Sequence, residues 1–330
     1  MNQTKVVVTG GAGFIGSELT RQLVESGRRV LVVDNLVNGR AENLEGVLGP
    51  SCELVVLDIR DGARMEDQIA GAAIVFHLAC LGVRHSIHSP RENHEVNATA
   101  TLGLLSAARS RNVARFVYVS SSEVYGTARW APMDEQHPTQ PSTVYGASKL
   151  AGECYARAFH RTYGYPTVVV RPFNSFGPRC HHEGDSGEVI PKFVLRCLAG
   201  QPMVVFGSGE QTRDFTYVSD TARGILLAGL TDAAVGETVN LGSGREVAIR
   251  QLAEEVATAT GALPAQVVHQ PERPGDVTRL CAGTAKSREL LGFETQVRLR
   301  EGLDRLVTWY RTLGVTPQAL LEQERVRNWE

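Results

Sequence analysis

Tyr145 and Lys149 are the residues whose types and spacing most directly indicate chemistry. Residues four apart share one face of a helix, so a helix here would bring the Lys149 ammonium near the Tyr145 phenol. A free tyrosine titrates near pH 10, and a neighbouring cation favours its phenolate, each pKa unit corresponding to about 1.4 kcal/mol. The pair therefore suggests a base that removes a proton from an alcohol. A half-buried aromatic beside a solvated lysine would give the same spacing, so the interpretation needs support from elsewhere in the chain.

The start of the chain supplies that support. An apolar segment, residues 5–9, runs directly into Gly10, Gly13 and Gly16, and then into apolar positions at helical spacing. At such a strand-to-helix junction the missing side chains let the backbone approach a pyrophosphate, and the helix N-terminus provides amide donors and a positive dipole. The spacing Gly-x-x-Gly-x-x-Gly differs from the Gly-x-Gly-x-x-Gly of the standard dinucleotide fingerprint.

A second predicted strand, residues 29–34, ends in Asp34, which follows the first of these glycines by 24 residues. A carboxylate at this position would bond the ribose hydroxyls of NAD and would repel the additional phosphate of NADP. Arg28, Arg29 and Arg40 are near enough in sequence to leave NADP open, although none directly follows the strand. We therefore predict NAD as the cofactor.

Composition narrows the class of protein. The 330 residues, 42% hydrophobic and 21% charged, are typical of a globular protein with two domains or lobes, and a net charge of −2 gives no electrostatic footprint for nucleic acid or an anionic membrane. No apolar run approaches the roughly 18 residues of a membrane span, and a first strand at Lys5 leaves no room for a signal peptide. Six cysteines without Cys-x-x-Cys spacing indicate free thiols and a cytoplasmic protein. His181-His182 lacks a third residue at metal-ligand spacing, so no metal is expected.

Strand and helix patterns alternate through the first half of the chain. This alternation predicts an α/β fold with a doubly wound parallel sheet, helices on both faces, and ligands bound beyond the carboxyl ends of the strands. The predicted strands cover residues 53–57, 73–78, 115–120 and 167–171, and the predicted helices cover residues 63–70, 93–111 and 144–163. Asp58, residues 78–80 and residues 120–123 follow strand ends and should line one crevice.

The character of the sequence changes after Pro172, where loops become frequent. We predict a nucleotide-binding domain over residues 1–172, with a return of the chain near residues 215–243. Residues 173–330 are predicted to form mainly a smaller C-terminal α/β substrate-binding lobe. Within it, residues 180–188 are rich in histidine and acid and are expected to shape the substrate pocket.

Several motifs follow one another in a recognisable order between Lys5 and Tyr310. They are Gly10-x-x-Gly-x-x-Gly16, Asp34, His77-Leu-Ala79, Asn97, Ser121, Tyr145-x-x-x-Lys149, Arg171-Pro-Phe-Asn174 and Arg213-Asp-Phe215. Together they resemble the extended short-chain dehydrogenases of the NAD-dependent epimerase/dehydratase family. The resemblance implies a Rossmann-type NAD domain, a nucleotide-sugar substrate, most simply a UDP-sugar, and a homodimer.

The resemblance also implies roles for individual residues. NAD would contact Gly10, Gly13, Phe14, Ile15, Gly16, Asp34, Asn35, Asp58, Ile59, Leu78, Ala79, Asn97, Tyr145 and Lys149. The nucleotide sugar would contact Ser121, Ser122, Glu123, Asn174, Arg213, Arg273 and Asp276. A guanidinium forks onto phosphate oxygens, so Arg213 and Arg273 suit a diphosphate. Arg273 could instead form a surface ion pair within the charged segment 272–276.

The catalytic residues implied by the resemblance are Tyr145, Lys149, Ser121 and Glu123. Tyr145, as phenolate, would take the proton from the sugar O4 while C4 gives hydride to NAD, and Ser121 would hydrogen-bond the same oxygen. Lys149 would hold the ribose and lower the tyrosine pKa. The product of this step would be a 4-keto sugar.

The fate of the 4-ketone depends on Glu123. A ketone at C4 acidifies the C5 proton, so a carboxylate here favours chemistry at C5. The segment Ser121-Ser-Glu-Val-Tyr-Gly126 resembles the Thr-Ser-Glu-x-Tyr-Gly of some 4,6-dehydratases and of UDP-glucuronate decarboxylases. Residues 82–87 and the short span from Ser121 to Tyr145 resemble UDP-sugar 4-epimerases instead, and Ser122 replaces the aspartate of dTDP-glucose dehydratases.

These signals order the predicted outcomes. We place 4,6-dehydration slightly ahead of 4-epimerisation of a UDP-sugar of the glucose or glucuronate type, with decarboxylation of UDP-glucuronate third. The alternative outside enzymes is a sensor that binds NAD without turnover.

Overall fold

A seven-stranded parallel sheet dominates the structure, a computed structural model that describes residues 4–273 and 275–329. Its strands are β1 (Lys5–Thr9), β2 (Arg29–Asp34), β3 (Cys52–Val56), β4 (Ile74–His77), β5 (Arg115–Val119), β6 (Thr167–Pro172) and β11 (Thr238–Leu241). Their order across the sheet is β11-β6-β5-β4-β1-β2-β3, so the direction of winding reverses between β1 and β4. Thr9 at the end of β1 pairs with Val33 and His77, which aligns the carboxyl ends of the central strands. A crevice at such a reversal is where nucleotides bind in this architecture.

Helices cover both faces of the sheet. They are α1 (Phe14–Glu25), α2 (Gly62–Ile69), the short α3 (His85–His88) and α4 (Pro90–His94), α5 (Ala100–Ser110), α6 (Val144–Tyr163) and α8 (Val218–Leu230). Alternate residues of a strand point to opposite faces, so Val6 and Val8 join the core beneath α1 and α8, while Val7 joins the core beneath α2 and α5. The predicted doubly wound Rossmann-type sheet is confirmed.

The two long helices predicted from sequence differ in outcome. Helix α6 spans residues 144–163 as predicted, because Thr143 Oγ1 accepts the Gly146 N–H at 3.1 Å and Gly164, at φ 63°, ends the helix. The predicted helix over residues 93–111 is instead built from α4, a π-helical turn at Glu95–Thr99 and α5. Such turns bulge a helix locally and are frequent near functional sites.

A second, smaller group of elements packs beside the sheet. Its strands form three pairs, β7 (Asn174–Phe176) with β10 (Phe215–Tyr217), β8 (Met203–Phe206) with β13 (Val267–Gln270), and β9 (Thr212–Arg213) with β12 (Val247–Ala248). Its helices are α7 (Val189–Leu198), α9 (Ile249–Thr260), α11 (Leu299–Thr312) and α12 (Pro317–Leu321), whereas α10 (Ala285–Leu291) packs beside β11 and α8 of the main sheet. Phe193, Leu252 and Leu306 belong to a core of their own. The division of the chain at residue 172 stays a prediction. No helix in the described ranges is both long and apolar enough to cross a membrane.

His77 is a buried link between the end of the sheet and α5. Its Nδ1 lies 2.7 Å from Thr9 Oγ1, and its Nε2 lies 2.8 Å from Thr101 Oγ1. Burial, assisted by the Lys149 ammonium, lowers the pKa of His77 to about 3. The imidazole is therefore neutral at neutral pH and serves as a structural bridge.

We expect acid to destabilise the protein through His77. Because the unfolded histidine titrates near pH 6.5 and the folded one near 3, the unfolded state binds more protons in this window. Stability that is present above pH 6.5 is therefore lost as the pH falls towards 3. For this residue the loss between pH 7 and pH 5 is about 2 kcal/mol, measurable by urea unfolding. His77→Gln, which binds no proton, should show a smaller change, and an equal pH dependence in both proteins would contradict this role.

Candidate active site

A cleft of about 540 Å³ opens beyond the carboxyl ends of the sheet strands. Most of the predicted site residues line it. They are Gly10, Gly13, Phe14, Ile15, Gly16, Asp34, Asn35, Ile59, Leu78, Ala79, Ser121, Ser122, Glu123, Tyr145, Lys149, Asn174, Arg213, Arg273 and Asp276. Side chains from both halves of the chain therefore meet in one cavity.

The glycine-rich turn shapes the cofactor end of this cleft. Gly10 has φ 72°, and a Cβ there would lie 2.6 Å from the Ala79 backbone nitrogen. A Cβ on Gly16 would lie 2.1 Å from Gly10 O, so this glycine allows α1 to start directly against the turn. Gly13 precedes α1, and no side chain caps the helix. The amides and the dipole of this end of α1 are thus left for an anion, which fits the pyrophosphate of NAD.

Asp34 is held in position at the end of β2. Its Oδ2 accepts the Ala12 N–H at 3.0 Å, and its Oδ1 accepts the Leu36 N–H at 2.9 Å. An ionised carboxylate accepts about four hydrogen bonds, so capacity remains for ribose hydroxyls. Arg40, which left NADP open in the sequence, instead pairs with Glu183 at 2.9 Å. These placements fit NAD.

Two predicted NAD contacts do not line the cleft. Asn97 is 1% exposed, and its amide accepts from Leu81 N at 2.8 Å and donates to Leu81 O at 2.9 Å. It therefore holds the loop after β4 instead of reaching a ligand. The Asp58 carboxylate accepts from Arg60 Nη2 at 2.8 Å and from Asn35 Nδ2 at 2.9 Å, and Arg60 is the main cause that lowers the pKa of Asp58 to about 2.

Tyr145 lies in the first turn of α6 and faces the cleft with Ser121. Burial raises the pKa of Tyr145 well above its usual value, the Cys80 thiol and the Glu123 carboxylate add to this shift, and the hydrogen bond with Ser121 opposes it. The phenol is therefore a weak acid, and its phenolate is a correspondingly strong base. Cys80 follows β4 and lines the cleft, as expected for residues 78–80, although it was given no role with cofactor or substrate.

The Lys149 ammonium is buried at the end of β5. Its Nζ donates to Val119 O at 2.6 Å and lies 4.7 Å from the centroid of the Tyr118 ring. Burial lowers the pKa of Lys149. The ammonium is held at the end of β5 and lines the same cleft as Tyr145, and its effect on the tyrosine pKa stays a prediction.

Ser121 caps a short turn, whereas the Glu123 side chain faces the cleft. Ser121 Oγ accepts the Glu123 N–H at 3.2 Å at the start of a 3-10 turn, Ser122–Val124. The Glu123 carboxylate, by contrast, makes no hydrogen bond or ion pair with any described residue and lines the cleft. Burial raises the pKa of Glu123, and nearby arginines, Arg213 first among them, oppose this shift. The carboxylate is thus free to meet a substrate.

Arg213 and Arg273 converge on one carboxylate oxygen. Asp276 Oδ1 accepts from Arg213 Nη2 at 2.6 Å and from Arg273 Nη2 at 2.5 Å. Arg273 therefore forms the ion pair that the sequence allowed, but with a partner that itself lines the cleft. Two guanidinium groups held side by side suit the oxygens of a diphosphate.

Two further polar groups in the cleft lack partners among the described residues. Asn174 Oδ1 and Arg84 Nε are both buried without a hydrogen-bond partner. Burial lowers the pKa of Arg84 to about 10, and Arg273 adds to this shift, while Glu188 and Glu123 oppose it. Arg84 was missed as a site residue, although it lies in the loop 82–87 that carried the resemblance to epimerases.

The segment 180–188, which we expected to shape a pocket, contributes side chains to the cleft, whereas Lys192 was not predicted as a site residue. Glu188 and Lys192 lie at the start of α7 and line the cleft, as do His181 and Asp185 of the preceding loop. His181 Nδ1 lies 3.1 Å from the Glu183 carboxylate. In the ranges that the structure describes, no three His, Cys, Asp or Glu side chains are grouped to hold a metal ion.

A buried network fixes the elements that carry the site. Arg171 donates to both Glu153 oxygens, at 2.8 and 2.6 Å, and Ser120 Oγ donates to Glu153 Oε1 at 2.6 Å. Arg171 Nη1 also donates to the Tyr125 hydroxyl at 2.7 Å, which donates to Asn240 Oδ1 at 2.8 Å. The network joins β6, α6 and β11 to both ends of the segment that holds Ser121 and Glu123.

Comparison with known proteins shows the family of this chain. A family profile described as the NAD dependent epimerase/dehydratase family matches residues 6–242. The chain belongs to this family. It is therefore an NAD-dependent enzyme of nucleotide-sugar metabolism, and the resemblance, the enzyme class and the cofactor predicted from sequence are confirmed.

Relatives with different activities match almost the whole chain. A putative UDP-glucose 4-epimerase from Methanocaldococcus jannaschii is 34% identical over 93% of this chain and 98% of its own. A dTDP-glucose 4,6-dehydratase from Streptomyces niveus is 37% identical over 93% of each chain. The solved structure of DesIV, a dTDP-glucose 4,6-dehydratase from Streptomyces venezuelae with NAD bound, has a TM-score of 0.89 and 34% identity, over 94% of this chain and 98% of its own. Family members thus include epimerases and dehydratases, and overall similarity does not separate them.

We expect Gly16→Ala to abolish NAD retention and to destabilise the fold by about 1–3 kcal/mol. The added Cβ would lie 2.1 Å from Gly10 O, which is backbone and cannot swing away. Gly62→Ala is the matched control, because a Cβ at this first residue of α2 meets nothing within 4 Å. Thermal unfolding and the absorbance of cofactor released from purified protein would measure both effects. Full NAD content and unchanged melting of Gly16→Ala would refute the packing role of this glycine.

Proposed function

We propose that this enzyme oxidises C4 of a UDP-linked or other nucleotide-linked hexose and that Glu123 then removes the C5 proton, leading to 4,6-dehydration. The observation that carries the proposal is the unpartnered Glu123 carboxylate, which faces the same cleft as Tyr145 and Ser121. A carboxylate at this place has no structural task that would account for its burial.

The proposed oxidation at C4 uses the hydroxyl pair of Tyr145 and Ser121. Bound NAD supplies the hydride acceptor for this step. Tyr145 takes the O4 proton as phenolate; burial raises its pKa and works against this ionised form, whereas the Lys149 ammonium, which lines the same cleft, would favour it. Ser121 stabilises the phenolate through the hydrogen bond that lowers this pKa and orients O4. The unpartnered Asn174 Oδ1 can accept from a sugar hydroxyl, and Arg213 with Arg273 would hold the diphosphate.

The proposed second step takes place at C5 and C6. The 4-ketone acidifies the C5 proton, and burial makes the Glu123 carboxylate a stronger base than an exposed glutamate. Ser122 provides no acid, so the newly formed Glu123 carboxylic acid is the group that protonates the departing C6 hydroxyl. The C5–H and C6–O bonds break, water leaves, and a C5=C6 double bond forms beside the ketone. C6 then takes back the hydride that C4 gave up and C5 takes a proton, which closes the redox cycle and gives a 4-keto-6-deoxy sugar.

A second candidate is favoured by Arg84. Its guanidinium makes no ion pair with a described residue, and its neighbours include Glu123. A C6 carboxylate on the sugar would give it a charge-assisted partner, which makes UDP-glucuronate the alternative substrate. Such a sugar has no C6 hydroxyl to lose. Its 4-keto form is a β-keto acid, which either loses carbon dioxide or is reduced from its other face, so the enzyme would be a decarboxylase or a 4-epimerase.

The proposal includes a homodimer. Leu102 on α5 and Tyr163 at the end of α6 are 38% and 52% exposed. A symmetric pairing of these two helices would cover both side chains.

Glu123→Gln tests the base at C5. With UDP-glucose and dTDP-glucose in D₂O, the variant should still convert bound NAD to NADH, detected at 340 nm. Deuterium incorporation at C5, followed by NMR, should fall by at least about 100-fold because the general base is lost. Unchanged incorporation would remove Glu123 from the mechanism.

Tyr145→Phe is the companion variant for this experiment. It should form no NADH with the same sugars, since the O4 proton has no acceptor, and should therefore also show no exchange at C5. Normal turnover of this variant would overturn the whole proposal.

Arg84→Gln separates the two candidates. If the substrate is UDP-glucuronate, KM for it should rise about 10-fold or more, in line with loss of a charged hydrogen bond, while KM for UDP-glucose stays constant. Arg84→Lys keeps the charge and should recover part of the loss. Equal values for wild type and Arg84→Gln on UDP-glucuronate would eliminate the second candidate.

A further inference from the structure

The last described residues form a wall of the substrate cleft. This C-terminal tail, residues 322–329, follows α12 and contributes Glu324, Val326, Asn328 and Trp329 to the cleft lining. Leu320 and Leu321, just before it, pack against the core of the second group of elements. The chain thus leaves that core and turns back over the opening of the site.

An enclosed ion pair fastens the tail to α7. Arg196 donates to the Glu324 carboxylate with two nitrogens, Nε to Oε1 at 3.1 Å and Nη2 to Oε2 at 2.9 Å. The two side chains are only 11% and 6% exposed. Lys192 Nζ donates to Arg325 O at 2.7 Å, which adds a second link to the same helix. Forked pairing of this kind fixes direction as well as distance.

The tail also holds the loop that leads into α7. Asn328 is 3% exposed, and its Nδ2 donates to Gly187 O at 2.8 Å and to Asp185 O at 3.3 Å. Gly184 N donates to Gln323 O at 2.9 Å. The residue that follows this loop is Glu188, a cleft-lining carboxylate whose charge acts on Tyr145. The tail is therefore connected to the reaction centre through backbone hydrogen bonds.

Trp329 ends the tail against the aromatic side chain of Phe206. The ring centroids are 4.8 Å apart and the planes meet at 76°. Since the rings touch, no planar ligand fits between them, but together they form an aromatic corner that is part of the cleft lining. Gln211 Nε2 donates to Phe206 O at 2.9 Å, and Arg213 follows two residues later. The aromatic corner thus adjoins the arginine pair on the cleft wall.

A nucleotide sugar is a linear molecule of sugar, diphosphate, ribose and base. With the sugar at Tyr145 and the diphosphate at Arg213 and Arg273, the base reaches the part of the cleft next to these arginines. We propose that the C-terminal tail completes the nucleobase end of the site, where the base packs against the corner of Phe206 and Trp329. Glu324 and Asn328 act as positioning residues. This inference rests on the proposed nucleotide-sugar substrate.

Trp329→Ala in the NAD-bound enzyme is the direct test. We expect at least one of four constants to rise about tenfold: the calorimetric Kd for UDP, dTDP or GDP, or KM for UDP-glucose. A base–aromatic stack is worth about 5- to 150-fold in affinity. The kcat and the melting temperature should not change, and Trp329→Phe should recover part of the affinity. The matched control is Trp130→Ala, because Trp130 is 48% exposed and stacks on His137 away from the cleft lining.

Glu324→Gln weakens the ion pair between the tail and Arg196 and leaves the Trp329 ring in place. It should raise the same Kd or KM while NAD content stays constant, and Glu324→Asp should recover part of the effect. Nucleotide affinities of Trp329→Ala equal to those of the wild type would overturn the inference, as would a wild type that binds none of the three nucleotides. A wild type that binds them but forms no NADH with any nucleotide sugar would refute the proposed function, while the titrations would still decide the role of the tail.

Discussion

The buried ion pair between Arg171 and Glu153 is the constraint on which the geometry of the site depends. Both side chains are almost fully removed from water, at 2% and 0% exposure, so each charge requires the other to offset its desolvation. Arg171 belongs to β6 and Glu153 to α6, the helix that presents Tyr145 about two turns earlier. Ser120 and Tyr125 bond to the same pair and flank the segment of Ser121 and Glu123. The relative placement of the catalytic groups is thereby set by a buried polar network.

The polar groups in and around the cleft are of two kinds: those that hydrogen-bond to protein partners and those that do not. Asp34, Asn97, His77 and Asp58 are each engaged by protein partners, which makes them elements of the scaffold or prearranged acceptors. Glu123, Arg84 Nε and Asn174 Oδ1 have no such partner among the described residues. A buried polar group without a partner costs about 1–3 kcal/mol, and a substrate that supplies the missing partners recovers that cost on binding. The unsatisfied groups therefore outline the sugar more clearly than the satisfied ones do.

Wherever a local rule decides the conformation, the sequence was sufficient. The β-branched run of β1, the glycines of the following turn and the caps at Thr143 and Gly164 act within a few residues, and the corresponding elements were predicted with nearly correct bounds. Parallel strands must align their carboxyl ends, so the meeting of Asp34, Ala79 and Ser121 at one crevice also followed. The π-helical turn at Glu95–Thr99 did not follow from the sequence. It depends on packing and on the hydrogen bonds between Asn97 and the distant Leu81.

By itself, the sequence determined the nucleotide fold and the NAD cofactor, and it predicted the residues that would oxidise an alcohol, because each depends on residue type and short spacing. Only the tertiary structure decided how each charge is used. Lys149 donates to Val119 O, Asp276 binds two arginines, and Arg84 Nε has no partner among the described residues. Such choices depend on which partners distant segments bring within about 3 Å, where hydrogen bonds form. Spacing along the chain carries no information about that distance, and for the same reason only the fold brings the C-terminal tail to the cleft.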